Sequence, residues 1–471
     1  MSFEFSKVSL KQISSKIGDG IHGTPIYDEN GSYYFINGNN LGSGRIVITS
    51  STKKVSRDEY LRHKKELNES TVLLSINGTI GNVALYDDEP VILGKSACYI
   101  NVLPGVSVHY IGYVLKDRLF QHYIKQQANG STIKNVSLKL IRDYEFTLPP
   151  KFVQDRVAEI LSSLDKKISV NENMSIILEQ MAQALFKSWF VDFEPVKAKI
   201  AVLEAGGSQE DATLAAMTVI SGKDTDALVV FECEHPQQYA ELKATAELFP
   251  SAMQESELGE IPEGWRSGSV TNVTDKVFSG GTPTTTKSEY WNGEFHWFSS
   301  GETRNSVITN TEKTITKLGV EQSSTKESVL GDVLIASAGQ GHTRGQTSLN
   351  MINTYINQSV VAVRPKKTIF TCWLYMNLRS RYEEMRAISD SHSSRGSLTT
   401  KLVSGMPVVI PGEKILQKFE KSIFPLFDSV KHSQREIDSL TQLRDTLLPK
   451  LLSGEITLPE AEQAVSEAEN V

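Results

Sequence analysis

From Val157 to Trp189, seam positions recur at alternating steps of four and three through Leu161, Leu164, Ile168, Asn171, Ser175, Leu178, Ala182 and Leu185. That spacing is the heptad seam of a coiled coil, apolar at its ends and polar at its centre. The pattern returns further along the chain. A constant shift of 263 positions lays Gln154 on Gln417, Ile160 on Ile423, Asp165 on Asp428, Leu185 on Leu448 and Lys187 on Lys450, with no gap. In the second copy Phe424, Phe427, Val430, Ile437, Leu440, Leu447 and Leu451 form a stripe of looser register. One amphipathic helix on its own is ordinarily a core helix of a large domain. Two of matched length, each behind a segment of similar size, predict a duplicated unit whose helices pair lengthwise and antiparallel.

The segments ahead of the helices repeat less cleanly. Gly23-Thr24-Pro25 matches Gly281-Thr282-Pro283, TVLLSINGTIGNVAL matches DVLIASAGQGHTRGQTSL, and NGSTIKNVSLKLIRDYEFTLPP matches SRGSLTTKLVSGMPVVIPG. Strand-like runs dominate both: IVITSSTKKV, TVLLSI, NVALY, VILGKSACYINV and YEFTLP in the first, SVITNTEKTIT, VLIASA and SVVAVRP in the second. One helix interrupts each, near Ile111 to Gln127 and near Thr371 to Ile388. The expected fold class is α+β: two similar β-rich domains with curved, mostly antiparallel sheets, joined by two long antiparallel coiled-coil helices with an internal pseudo-twofold. The expected organisation is 1–150 first domain, 151–193 central spacer helix, 194–263 acidic connector, 264–411 second domain, 412–455 C-terminal spacer helix and 456–471 acidic tail. Within the connector, helix-forming stretches run around Val196 to Glu204, Gln209 to Ser221 and Gln237 to Glu247, and LGEIPEGW leads extended into the second domain.

Charge changes this picture. The chain carries −7 overall, yet residues 1–150 carry +3 and 264–411 carry +5, while 192–263 carry −11 and 453–471 carry −5. Two mildly basic segments are separated by acidic ones, and a modest positive balance points only weakly to nucleic acid. The start MSFEFSKVSL has no apolar run behind a basic cluster, and no stretch approaches the roughly 18 apolar residues of a membrane span. Cys98, Cys233 and Cys372 are too scattered for a disulfide framework, so a cytoplasmic location is expected. There is no GxGxxG after a strand, no GxxxxGK[ST], no HExxH and no metal-spaced cluster of Cys and His, and the adenine-gripping Asn-Pro-Pro-Tyr or Asp-Pro-Pro-Tyr is missing. Pro149-Pro150 reads as the punctuation ahead of a helix, and Asp87-Asp88-Glu89 as a solvated turn. Catalysis by this chain is not expected, and no metal site.

A recognition-like domain, a heptad helix ending ALFKSWFVDFEPV, an acidic connector ending LGEIPEGW, a second similar domain and a helix ending LRDTLLPKLLSGEI together resemble the specificity (S) subunit of type I restriction-modification enzymes. The resemblance covers nearly the whole chain. It implies a non-catalytic subunit with two target-recognition domains, each reading half of a bipartite, asymmetric site in double-stranded DNA. It further implies one S subunit docking two methyltransferase (M) subunits and, through them, restriction (R) subunits. S-adenosylmethionine, ATP and Mg are then expected on those partners, with no cofactor here. A helix of about 35 residues is about 50 Å long, roughly one and a half turns of B-DNA, so two short specified runs around a fixed gap are expected.

Base-edge readout requires polar side chains on backbone that approaches the groove closely, which directs attention to the matched Gly-rich turns. The candidates are Thr24, Asn37, Asn39, Asn40, Asn77, Lys95, Gln127, Asn129, Ser131, Thr132 and Lys134 in the first domain. In the second they are Thr282, Thr284, Ser299, Arg304, Gln340, Arg344, Gln358, His392, Ser394 and Arg395. Each competes with a plain role as a turn residue. Tyr33, Tyr34, Trp291 and Trp297 stack on bases or, more in keeping with sheet aromatics, pack. Docking of the M subunits is expected on Phe186, Trp189, Phe190, Phe193, Leu448, Leu451 and Leu452, against the alternative that the partner helix buries them. The competing function is an adaptor that pairs two enzyme subunits without reading sequence.

Overall fold

A computed structural model describes residues 6–469 apart from Ser43, 129–133, Gln340 and 393–395. The chain gathers into two units, residues 1–170 with 437–471 and residues 171–436.

In the first unit a four-stranded antiparallel sheet runs in the order Ser14–Asp19, Ala97–Val102, Thr71–Ser75, Val83–Leu85, with Ile100 opposite both Ile17 and Val72. The strand Thr71–Ser75 is buried on both faces, which is why it reads as an unbroken apolar run instead of an alternation. Its side chains divide by parity. Val72 and Leu74 pack with Tyr110, Ile111 and Leu115 of the helix Val108–Lys116, while Leu73 packs with Ile36 and Leu93 of a second, three-stranded sheet. That smaller sheet places Tyr33–Ile36 parallel to Val91–Leu93 and antiparallel to Lys54–Val55. Ser6–Ser9 pairs with Glu145–Leu148 and so closes the domain beside the start of the first long helix.

The second unit repeats this order. Thr274–Ser279, Val360–Pro365, Val333–Ala336 and Thr347–Asn350 are neighbours in the same sequence, Arg266–Ser269 pairs with Pro407–Ile410, and Trp291–Phe298 runs parallel to Thr354–Ile356. The parity rule also repeats: Val333 and Ile335 face the helix Thr371–Arg379, and Leu334 faces Phe298 and Ile356.

Several expectations need correction. Each domain holds two consecutive helices where one was expected, Val108–Lys116 with Arg118–Gln127 and Thr371–Arg379 with Tyr382–His392. At the first break Asp117 caps the following helix by accepting the Leu119 N–H at 3.0 Å. Of IVITSSTKKV, only Ile46, in the strand Arg45–Ile46, and Lys54–Val55 are strand, because Thr49 and Thr52 bond one another across a turn. The connector has four helices, Glu194–Glu204, Gln209–Ser221, Thr225–Glu234 and Pro236–Glu247, the third having gone unread. LGEIPEGW belongs to a hairpin that pairs Met253–Ser256 with Gly259–Pro262. The acidic tail is helical over Leu458–Glu469 and packs Ala461 into the first unit's core.

The long helices are Lys151–Phe190 and Glu413–Ser453. Asp165 meets Arg444 and Phe186 meets Phe419, so the N-terminal half of each long helix pairs with the C-terminal half of the other, as antiparallel helices do. Asn171 occupies the polar centre of the seam, with its Nδ2 buried and unpartnered. A polar residue in the seam is a device that fixes coiled-coil register at some cost in stability.

Candidate nucleic-acid interface

In each domain the backbone that follows the central strand is held open by the second helix and by the chain beyond it. In the first domain the loop between Thr71–Ser75 and Val83–Leu85 is knitted to the segment after Arg118–Gln127. Gly78 N–H donates to Lys134 O at 3.1 Å, Val136 N–H donates to Ile76 O at 2.8 Å, and Asn77 bridges Asn135. Gln121 Nε2 donates to Gly81 O at 2.8 Å. Gly81 has φ +95°, and an added Cβ would stand 2.2 Å from Gln121 Oε1, so only glycine serves there.

The second domain builds the same composite loop with other side chains. Leu398 N–H donates to Ser337 O at 2.8 Å, Tyr382 OH to His342 O at 2.8 Å, and Arg386 Nη1 to Gly341 O at 2.5 Å. Arg344 is buried, donating to Gly396 O and pairing with Asp390. Equal frames thus present unlike tips: Asn77, Gln127 and Lys134 in one domain, His342 and Thr343 in the other. His392 is the last residue of Tyr382–His392. Asn129, Ser131, Thr132, Gln340, Ser394 and Arg395 lie outside the described residues.

A second loop cluster flanks the smaller sheet. In the first domain Ser96 Oγ donates to Asn37 Oδ1 at 2.9 Å, Asn37 N–H donates to Asn40 Oδ1 at 3.0 Å, and Asn40 Nδ2 donates to Val47 O at 3.2 Å. The amides of Asn37 and Asn40 are therefore committed to building the turn Gly38–Asn40, whose middle residue, Asn39, is exposed. Thr24 and Lys95 are exposed nearby in the chain's matching turns. A concave surface of about 300 Å³ is lined by Tyr27, Asn37, Asn39, Asn40, Thr49 and Lys53, among others. In the second domain Thr282 Oγ1 bonds Gln358 Oε1, Thr284 is exposed, and Arg304 is exposed while donating to Gly301 O and pairing with Glu312. Ser299 Oγ is committed to Glu302 at 3.1 Å.

Asn37, Asn40, Ser299 and Arg344 each make bonds within the chain that hold these loops in shape. The aromatic candidates pack. Trp291 meets Trp297 edge to face at 5.0 Å, and Tyr33 stacks on Tyr60 at 4.0 Å, with Lys54 about 6 Å from the ring of Tyr34. Tyr382, Arg386 and Gln121, which set the loops, carried no signal in the sequence beyond their place on a helix.

The expected docking residues lie mostly inside the chain. Phe186, Trp189 and Phe190 are buried against Phe419, Phe249 and Trp265, and Phe193 meets Trp265 at 5.6 Å. Leu448 and Leu451 are buried and Leu452 partly so, in the core that also takes Ala461 of the C-terminal helix. Large apolar groups at the helix ends are covered by the segments that follow each helix, the connector in one unit and the tail in the other.

Between domain and long helix stands a carboxylate in each unit. Asp165 accepts from Tyr113 OH at 2.9 Å, Lys116 at 3.3 Å and Arg444 at 2.9 Å. Burial works to raise its pKa, but Lys116 and Arg444 outweigh that and hold the carboxyl below its ordinary range. In the second unit Glu179 accepts from Arg379 at 3.0 Å and from Ser306, and Tyr375 OH donates to Ser306 O at 3.0 Å. Among the described residues no group of three or more His, Cys, Asp or Glu is placed to hold a metal, and no helix is long and apolar enough to cross a membrane.

Residues 4–180 match the family model described as "Type I restriction modification DNA specificity domain". Over 338 residues the chain is 30% identical to the specificity subunit of the type I restriction enzyme HindI of Haemophilus influenzae, covering 70% of this chain and 73% of that one. It is 23% identical over 395 residues to the MjaIX specificity subunit of Methanocaldococcus jannaschii, covering 83% and 79%. Among solved structures, the S subunit of a type I restriction-modification system from M. genitalium matches with a TM-score of 0.54 at 17% identity, covering 96% of each chain.

Proposed function

This chain belongs to the family of type I restriction enzyme specificity subunits, and from that premise we propose that it reads a bipartite, asymmetric site in double-stranded DNA. The observation that carries this reading is the repeat of one sheet order with unlike loops. A common frame aims two readers in one manner, and different tips, Asn39, Asn77, Gln127 and Lys134 against Arg304, His342 and Thr343, give the halves different sequences. Lysine and arginine at the rims add the sequence-independent attraction to phosphate.

Methyl transfer and cleavage fall to partner subunits, which hold S-adenosylmethionine, ATP and Mg. With the aromatic helix ends buried, methyltransferase docking moves to the flank of the first long helix. Met174, Ile177 and Met181 are 47%, 51% and 49% exposed and each precedes a seam residue, Ser175, Leu178 and Ala182. A two-helix coil needs apolar residues only at its seam; a third apolar position per heptad belongs to a helix with more than one helical neighbour.

The test is methylome sequencing of cells carrying this chain with its methyltransferase partner, repeated after exchange of residues 264–411 for those of a relative. The reading requires one bipartite motif of fixed spacing in which the exchange alters one half alone. An unchanged motif favours an adaptor without readout, and methylation by the purified chain alone overturns the assignment of chemistry to a partner.

A further inference from the structure

The connector helix Thr225–Glu234 has two apolar faces and buries only one. Leu228 is fully buried, with Ala216, Met217 and Ala246 around it and Phe231 packed alongside. On a helical projection Val229, Val230 and Cys233 fall on the opposite side. Val229 is 59% and Val230 54% exposed, and Cys233 is exposed as well. β-branched residues are not chosen for helix propensity, so two of them side by side in water call for a packing reason.

Carboxylates frame this strip. Glu232 borders one edge and Glu234 the other, Asp226 lies one turn ahead on the same face, and Asp224 caps the helix by accepting the Ala227 N–H at 2.8 Å. From Asp224 to Leu242 there is no Lys or Arg at all. Lys223 is turned over the ring of Phe231, 5.1 Å from its centre. The module that carries the strip is firmly built. Lys199 is buried and donates to the carbonyls of Ala246 at 3.3 Å and Phe249 at 2.7 Å, and Phe249 meets Trp189 of the first long helix at 5.1 Å.

We infer that the outer face of Thr225–Glu234 is a docking surface for a basic amphipathic helix of the methyltransferase subunit, one with an apolar stripe flanked by Lys or Arg. The naming of the subunit rests on the function proposed above; the chemistry of the occupant rests on the strip itself. Val229 and Val230 supply apolar area, and Glu232 and Glu234 stand where basic flanks of such a helix would lie. A second copy of this chain would bring carboxylates against carboxylates, and DNA would bring phosphates, so both are disfavoured.

The full-length chain carries its own probe, since Cys98 and Cys372 are buried and Cys233 is exposed. Alkylation of Cys233 by iodoacetamide is followed in the free chain and in the complex with its methyltransferase subunits. At least a tenfold slower reaction in the complex is expected, with carbodiimide crosslinks from Glu232 or Glu234 to lysines of the methyltransferase. The double variant Val229→Asp, Val230→Asp, at exposed positions, should restore free-chain reactivity and remove those crosslinks with no loss of helix by circular dichroism. Equal reactivity in free chain and intact complex overturns the inference while leaving the proposed function standing. Protection that needs only a higher concentration of this chain, or only added DNA, overturns it in favour of self-association or nucleic acid. Failure of any complex to form overturns both.

Discussion

Replacing Glu420 with Gln should stabilise the second unit, and by an amount that depends on pH. Glu420, on the second long helix, accepts the Cys372 N–H at 2.9 Å and the Cys372 thiol at 3.4 Å, in the first turn of Thr371–Arg379. Burial outweighs these bonds and pushes its carboxyl from the ordinary 4.5 up to about 7. A carboxyl raised in the folded state favours folding below the unfolded value of 4.5, and that contribution is lost as pH rises through about 7. At about 1.4 kcal/mol per pH unit, the wild type bears about 3 kcal/mol of cost once the group ionises in both states. Gln keeps the size and the acceptor oxygen and does not titrate. Its advantage should therefore grow by about 2 to 3 kcal/mol between pH 5 and pH 8, each kcal/mol being worth roughly 2–4 °C in Tm. All five tryptophans lie in the second unit, so thermal unfolding followed by Trp fluorescence reports on it alone. A difference in Tm between variant and wild type that stays flat from pH 5 to pH 8 would refute the reasoning.

Other consequences are equally direct. Asp165→Asn leaves Lys116 without its countercharge and Arg444 with Asp445 alone, and should cost about 2 kcal/mol in urea unfolding; since the folded pKa is depressed, the loss should shrink as pH falls below the ordinary carboxylate range. Phe190→Ala opens the aromatic cluster around Phe419 and Trp265 and should cost about 3–5 kcal/mol. It acts through folding, so the folded fraction should keep the wild-type motif in a methylation assay. Asn39→Ala should alter one half of the methylated motif and leave Tm within about 1 °C, whereas Asn37→Ala, which orphans the Ser96 bond, should lower Tm by a few degrees; the reverse pattern would exchange their roles.

The sequence by itself determined the duplication, the antiparallel long helices and the family, because heptad spacing and a constant 263-residue shift survive in one dimension. It also located the loops, since Gly-rich turns behind apolar runs announce themselves locally. Only the tertiary structure decided which polar side chains in those loops remain available. Asn37 and Arg344 look like Asn39 and Arg304 in the sequence, and differ in bonding Ser96 and Gly396, dozens of residues away. The same holds for the helix ends: Phe186 and Trp189 read as an exposed aromatic patch until the connector covers them, while Met174, Ile177 and Met181 read as seam neighbours and stay in water. Periodicity records which residues share a face, but whether that face is covered depends on contacts between segments far apart in the chain.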